Sequence, residues 1–311
     1  GVCVLVVKTG YFGERMGDIR ARDGARVNHV RTAVGDRPKV EEVEAALSTG
    51  HYKAMFVTHV DTSTAVLTNI HPLAALAHRH GAMIVVDGVC SVAGEELRMT
   101  EWDVDLAFTA SQKAVGTPPG LALVVARPRA MEAFHSRKTP VASYYSDWKN
   151  WLPIMEAYEA RKGAYFATPA VNLVWAVNVS LGQILAEGMD ARFARHVLLS
   201  RAFKAGMAAL GLNEVPVRPE ISANTLTAPR YPAGVAGADF LARTGRAGVT
   251  LAGGLHSAIK SEYFRVGHMG SVSAGDILAV LGAVETALVG CGYEFEPGAG
   301  VSAAQAIIDT H

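Results

Sequence analysis

The stretch Asp105-Leu-Ala-Phe-Thr-Ala-Ser-Gln-Lys-Ala-Val-Gly-Thr-Pro-Pro-Gly120 decides how the rest of the chain is read. An apolar run ends in Ser-Gln-Lys, and Lys113 stands just before a Gly-Thr-Pro-Pro-Gly turn that can continue neither a strand nor a helix. Upstream, Met83-Ile-Val-Val-Asp87 is a second apolar run that also ends in a single charge. As strands of a parallel sheet, the two runs deliver Asp87 and Lys113 to one edge, the carboxyl ends of the strands, where open α/β folds bind ligands.

Outward from these runs the same alternation repeats. Residues 2–7 are apolar on consecutive positions, as in a strand covered on both faces, and Tyr11 to Asp23 then carries helical spacing with a charged face. Val27 to Val30 predicts a short strand, and Pro38 opens a helix whose Val40, Val43 and Leu47 share a face before Gly50. Ala54-Met-Phe-Val-Thr58 is the next strand and runs into the polar loop His59-Val-Asp-Thr-Ser-Thr64 at the same sheet edge. A helix from Pro72 to His80 ends at Gly81. Strands alternating with helices of about ten residues predict a mostly parallel, doubly wound α/β sheet.

Beyond the strand Leu121 to Ala126, the stretch from Ser136 to Lys162 is rich in Ser, Tyr, Trp and Lys and is expected to be an irregular surface or interface segment. Thr168-Pro169 starts a long apolar-periodic helix through about Gly188, and the helix Ala191 to Leu210 enters a second domain. There, Thr225-Leu-Thr-Ala and Tyr263-Phe-Arg-Val are strand candidates, and Val235 to Arg243 is a helix. Ser273 to Val289 is a closing helix with Asp276 three residues after its Ser cap. The expected division is a large domain over residues 1–188 and a smaller α+β domain over 189–311.

Composition excludes several classes of function. The 311 residues carry 29 Lys plus Arg and 29 Asp plus Glu, so no global field favours nucleic acid or an anionic membrane. Apolar runs break after about seven residues, well short of the roughly 20 that a membrane span needs. Cys3, Cys90 and Cys291 have no metal-ligand spacing and read as reduced intracellular thiols, with no metal and no disulfide framework expected.

A lysine amine forms a Schiff base with the aldehyde of pyridoxal phosphate, and a carboxylate keeps that cofactor's pyridine nitrogen protonated so that the ring accepts electrons. The spacing of Asp87 and Lys113 fits this use, and it equally fits a surface lysine and an aspartate capping the next helix. The surrounding words add a resemblance. Thr109-Ala-Ser-Gln-Lys113 followed by Thr-Pro-Pro-Gly, with Val86-Asp-Gly-Val-Cys-Ser91 upstream, resembles the class V aminotransferases of pyridoxal phosphate fold type I, and among them the alanine–glyoxylate and serine–glyoxylate enzymes.

The resemblance implies that Lys113 binds the cofactor and moves the proton between substrate Cα and cofactor C4′, while Asp87 stabilises the electron sink. It implies that Thr62 contacts the ring hydroxyl and Gln112 the cofactor phosphate. Tyr165 and Thr168, in Tyr165-Phe-Ala-Thr-Pro169, would cross the interface of a homodimer to the partner's cofactor phosphate. Arg265 is a charge inside the apolar run Tyr263-Phe-Arg-Val-Gly267, where it needs an anion or must face water from an edge strand. The similar Arg-Ile/Val-Gly segment of these aminotransferases implies that it holds the substrate carboxylate, with Gly253-Gly-Leu255 as the loop closing over it.

The implied reaction moves an amino group from a small amino acid, alanine or serine, to glyoxylate, in the cytoplasm, a peroxisome or a mitochondrion. Family members begin with an arm, a helix, a Ser-Gly-Thr-like turn for the phosphate and an aromatic that stacks on the ring. This chain is expected to start after these, as a member lacking the N-terminal segment. The alternatives are another class V reaction, lyase or desulfurase, or a truncated non-catalytic remnant. A desulfurase needs a cysteine on a mobile loop, whereas Cys3 and Cys90 lie in or beside strands and Cys291 near a helix end.

Overall fold

Consecutive apolar residues in the first hundred positions build the centre of a twisted sheet. The computed structural model describes residues 2–310; Gly1 and His311, the outer bounds of the two expected domains, lie outside them. In chain order the first elements are β1 (Cys3–Val7), α1 (Tyr11–Arg22), β2 (Arg26–Val30), α2 (Val40–Ser48), β3 (Ala54–Thr58), β4 (Val60–Asp61), β5 (Val66–Leu67), α3 (Ile70–Arg79), β6 (Met83–Asp87), β7 (Leu106–Ala110) and β8 (Ala122–Ala126). β1, β2, β3, β6, β7 and β8 form a six-stranded sheet in the order β2-β1-β3-β6-β7-β8, parallel except that β8 runs antiparallel to β7. Alternate residues face opposite sides of a strand, and Leu5, Val7, Met55, Val57, Ile84 and Val86 pack on Val43, Leu47, Leu73 and Leu76 of α2 and α3. The apolar stripe read in α2 is thus what seals this face of the sheet.

Register then places the polar ends. Thr58 pairs with Asp87, and Asp87 with Phe108, so the loop after β3, the carboxylate ending β6 and the turn after β7 leave one edge together. β4 and β5 pair antiparallel and fold the polar loop 59–64 back over that edge.

The chain continues through α4 (Pro128–His135), α5 (Trp148–Glu159), α6 (Val171–Glu187), α7 (Met189–Ala209), β9 (Leu226–Thr227), α8 (Gly237–Arg246), β10 (Ala252–Gly253), β11 (Phe264–Gly267), α9 (Ala274–Gly290) and α10 (Ala299–Ile308). A three-stranded antiparallel sheet, β10-β11-β9, presents Phe264 and Val266 to a core shared with Phe203, Phe240, Leu281 and Val284. The Ser273 hydroxyl accepts from the Asp276 N–H, and the Asp276 carboxylate accepts from the Ser273 N–H, the reciprocal cap expected for α9. Gly188, at φ 81°, lets α6 end and α7 begin on a single residue.

The segment 136–162 departs from expectation, for it contains α5. Asp147 caps that helix by accepting from the Lys149 N–H at 3.0 Å. No residue of α5 is fully buried, and Pro153 interrupts its hydrogen bonding. A helix without a buried face carries no apolar period, which is why the sequence looks irregular there. α10, which packs its Ala304 into the second core, was likewise not anticipated.

Candidate active site

The lysine turn is built by one serine. Ser111 is buried; its hydroxyl donates to the Pro118 carbonyl at 2.7 Å and accepts from the Leu121 N–H at 3.3 Å, while its carbonyl accepts from the Thr117 N–H at 2.9 Å. The Pro-Pro-Gly loop is thereby folded back onto the end of β7. Gly116, at φ 77°, closes the turn by donating to the Lys113 carbonyl at 2.8 Å, a conformation that side chains with a Cβ resist. Lys113 is half-buried, and Gln112 beside it is exposed.

Asp87 ends β6 with one carboxylate oxygen accepting from the Val89 N–H at 3.0 Å. Burial pushes its carboxyl up to about 6, and the nearby Lys113 charge pulls in the other direction. The two charges of the sequence reading therefore sense each other across the sheet edge. Thr62 is buried on the neighbouring loop, its side chain against the Cys90 thiol, and burial pushes that thiol up. A buried, protonated thiol, with Cys3 in β1 and Cys291 donating to Asp239, leaves no mobile nucleophilic cysteine for a desulfurase. His59 is buried and pushed down to about 4 by desolvation, so it is neutral and structural.

Arg265 comes to this edge from the second sheet. Its Nε donates to the Gly253 carbonyl at 2.9 Å and its Nη1 to the Thr62 carbonyl at 3.4 Å. Among the described residues, no carboxylate pairs with this guanidinium or lies within ion-pair distance of Lys113. Lys113, Asp87, Thr62 and Arg265 thus border one site, whereas Tyr165 and Thr168 contact each other at 3.4 Å on the surface, with Tyr165 74 % exposed.

Several residues that sequence reasoning passed over hold the site together. Arg192 is buried on α7; its Nε donates to the Ala93 carbonyl at 2.7 Å and its Nη2 to the Ala114 carbonyl at 2.8 Å, joining the loop after Asp87 to the turn of Lys113. Glu187 accepts from Arg192 and from Arg195, whose guanidinium also reaches the Gly270 and Val272 carbonyls. These partners hold the Glu187 carboxyl down to about 2. The i, i+3 arginines on a helix just after a glutamate were a legible signal for this network. Asp61 is fully buried and accepts from the Phe12 and Gly13 N–H groups, while the Ser63 hydroxyl accepts from the Tyr11 N–H, so this loop caps α1 from outside. Glu95 accepts from the Asn224 side chain at 2.9 Å and the Thr225 N–H at 3.1 Å, tying the loop after β6 to the second half of the chain.

The donor set fits pyridoxal phosphate on its own chemistry. It offers an unpaired primary amine for an aldehyde, a desolvated carboxylate with a free oxygen for a protonated ring nitrogen, a buried hydroxyl on Thr62 and a guanidinium lacking an anion.

Comparison with known proteins identifies the family. The family model described as aminotransferase class-V matches residues 1–274. Alanine–glyoxylate aminotransferase 1 of Saccharomyces cerevisiae is 42% identical over 274 residues, which cover 86% of this chain and 70% of that protein. L-aspartate–glyoxylate aminotransferase of Paracoccus denitrificans is 34% identical over 97% of this chain and 76% of its own length. Among solved structures, pyridoxamine–pyruvate aminotransferase from Mesorhizobium loti superposes with a TM-score of 0.91 at 28% identity, covering 99% of this chain and 78% of that one.

Proposed function

The chain belongs to the class-V aminotransferase family, and from that membership we propose that it uses pyridoxal phosphate to move an amino group from a small amino acid, alanine or serine, to glyoxylate. The observation that carries the reading is the convergence at one sheet edge of Asp87, Lys113 and Thr62 with Arg265 from the second sheet. When bound, the cofactor takes up the amino group on its aldehyde carbon and draws electrons into its ring.

The chain's own residues do the rest. Arg265 orients the substrate carboxylate through two parallel hydrogen bonds, which fixes the plane of the amino acid and turns its Cα–H towards Lys113. Lys113 Nζ would take the Cα proton as a general base and give it up as an acid at the cofactor's C4′ carbon within the same half-reaction, and would carry a proton in the reverse direction in the second half. Asp87 holds the proton on the ring nitrogen, a role suited to a carboxylate whose burial strengthens any charge it faces. Thr62 meets the ring hydroxyl, and Gln112 the phosphate.

Tyr165 and Thr168 act across a homodimer interface. Trp175 is 66% and Leu185 75% exposed on α6, and Tyr144, Tyr145 and Tyr165 are exposed as well, apolar area that a second copy would cover. The break between the two halves falls at Gly188, with residues 1–188 carrying the cofactor and 189–311 the carboxylate contact. The direct test is pyruvate formation from alanine and glyoxylate in the presence of pyridoxal phosphate. Activity that disappears in Lys113→Ala supports the proposal, and activity that survives the substitution refutes it.

A further inference from the structure

Arg265 does not stand alone on its strand. Side chains alternate along β11, so Phe264 and Val266 enter the second core while Tyr263, the residue before the strand, and Arg265 share the opposite face. Tyr263 is fully buried, and its ring packs in a cluster with Val60, Ala65 and Leu226. Its hydroxyl donates to the Ser63 carbonyl and accepts from the Leu255 N–H at 2.8 Å and the His256 N–H at 2.9 Å. One donor and two acceptor positions are then filled, which saturates a phenol.

The two side chains grip the same two segments. Arg265 reaches the Thr62 carbonyl and Tyr263 the next one, that of Ser63; Arg265 reaches the Gly253 carbonyl and Tyr263 the amides of Leu255 and His256. Gly254, between those contacts, has no room for a side chain: a Cβ there would lie 2.6 Å from the Tyr263 ring and 2.4 Å from the Lys260 carbonyl. The segment expected to close over substrate is therefore fastened to the Thr62 loop by a residue about 200 positions away from it.

We propose that Tyr263 is a positioning residue for carboxylate recognition, holding Gly253 to His256 against the Thr62 loop so that the Arg265 guanidinium is in place before substrate arrives. The proposal rests on the reading of Arg265 as the carboxylate holder. Phenylalanine at this position keeps the packed ring and leaves two half-buried N–H groups and one buried carbonyl unpaired. The loop then gains alternative positions, and Arg265 loses its fixed plane.

The test compares the wild type, Tyr263→Phe and Arg265→Ala with alanine, glyoxylate and ethylamine, an amine without a carboxylate. Tyr263→Phe should raise KM for alanine and glyoxylate about tenfold, change kcat less than about twofold, and leave ethylamine turnover at the wild-type rate. If Arg265→Ala harms ethylamine as much as alanine, the carboxylate reading of Arg265 fails. If Arg265→Ala is selective and Tyr263→Phe is not, only the role of Tyr263 is overturned. Hydrogen exchange on the substrate-free wild type supplies a readout independent of any variant's folding. The Leu255 and His256 amides should be protected as strongly as those of β11, and exchange at the rate of an open loop would overturn the proposal.

Discussion

Replacing Asp87 by Asn should stabilise the cofactor-free protein at alkaline pH while disabling its chemistry. Burial raises the Asp87 carboxyl from an ordinary 3.8 to about 6 in the folded chain. The folded state then binds the proton more tightly than the unfolded state, so this residue's contribution is most favourable below about pH 4. It declines as pH rises towards 6 and stays unfavourable above that. Each tenfold change in proton affinity is worth about 1.4 kcal/mol, so a charged Asp87 costs the folded protein about 3 kcal/mol at pH 8. Asparagine keeps an oxygen for the Val89 N–H, now at 3.0 Å from the carboxylate, and removes the charge. Urea unfolding of the cofactor-free protein at pH 4, 6 and 8 should show the Asn variant gaining about 2–3 kcal/mol at pH 8 and almost nothing at pH 4. A variant that is less stable at pH 8, or a gain independent of pH, would refute the claim that the site holds a desolvated charge awaiting a cationic ring.

Arg265→Ala should lower kcat/KM for alanine and glyoxylate at least about tenfold, since charge-assisted hydrogen bonds are worth roughly 1.5–3 kcal/mol each. Arg265→Lys should recover little of this, because a point charge cannot fix the carboxylate's plane; a lysine variant with wild-type KM would sink the bidentate reading. Arg192→Ala should cost about 2–3 kcal/mol in denaturant unfolding and weaken cofactor retention, as the Ala93 and Ala114 carbonyls lose their donor. The companion Glu187 is held below its ordinary value, so its contribution is full above about pH 4.5 and is lost only as pH falls towards 2. Unfolding midpoints that drop between pH 7 and 5 on account of Glu187 would contradict this. Trp175→Glu should shift the protein from dimer to monomer in sedimentation, and an unchanged mass would place the interface elsewhere.

The parallel sheet was legible because each central strand is a short, fully apolar run ended by a polar residue, as in Met83 to Asp87, and because the helices between them carry one apolar face. That same pattern placed Asp87 and Lys113 at one edge, but it equally allowed a helix-capping aspartate and a surface lysine, and only the resemblance carried by the words around them implied a cofactor role. Arg265 stood out as a charge inside an apolar run, with its carboxylate role likewise implied only by the resemblance. What escaped was held by long-range backbone contacts that no local pattern encodes. The buried guanidinium of Arg192 serves carbonyls 99 and 78 residues away, and Asp61 caps a helix 49 residues upstream. α5 escaped because a helix lying on the surface needs no apolar stripe. Tyr263 looked like one more strand aromatic until its hydroxyl partners were seen.

The claim on which all of this depends is that Lys113 is the cofactor lysine, and covalent labelling tests it directly. Lys204 makes the assay discriminating, because burial lowers its pKa and leaves its amine more readily neutral, a chemical competitor for any aldehyde. The protein should be incubated with pyridoxal phosphate, reduced with borohydride, digested and mapped by mass. The account predicts the pyridoxyl group on Lys113, in the peptide containing Ser111-Gln-Lys113; label on Lys204 or Lys260 instead, or on no lysine at all, would contradict it.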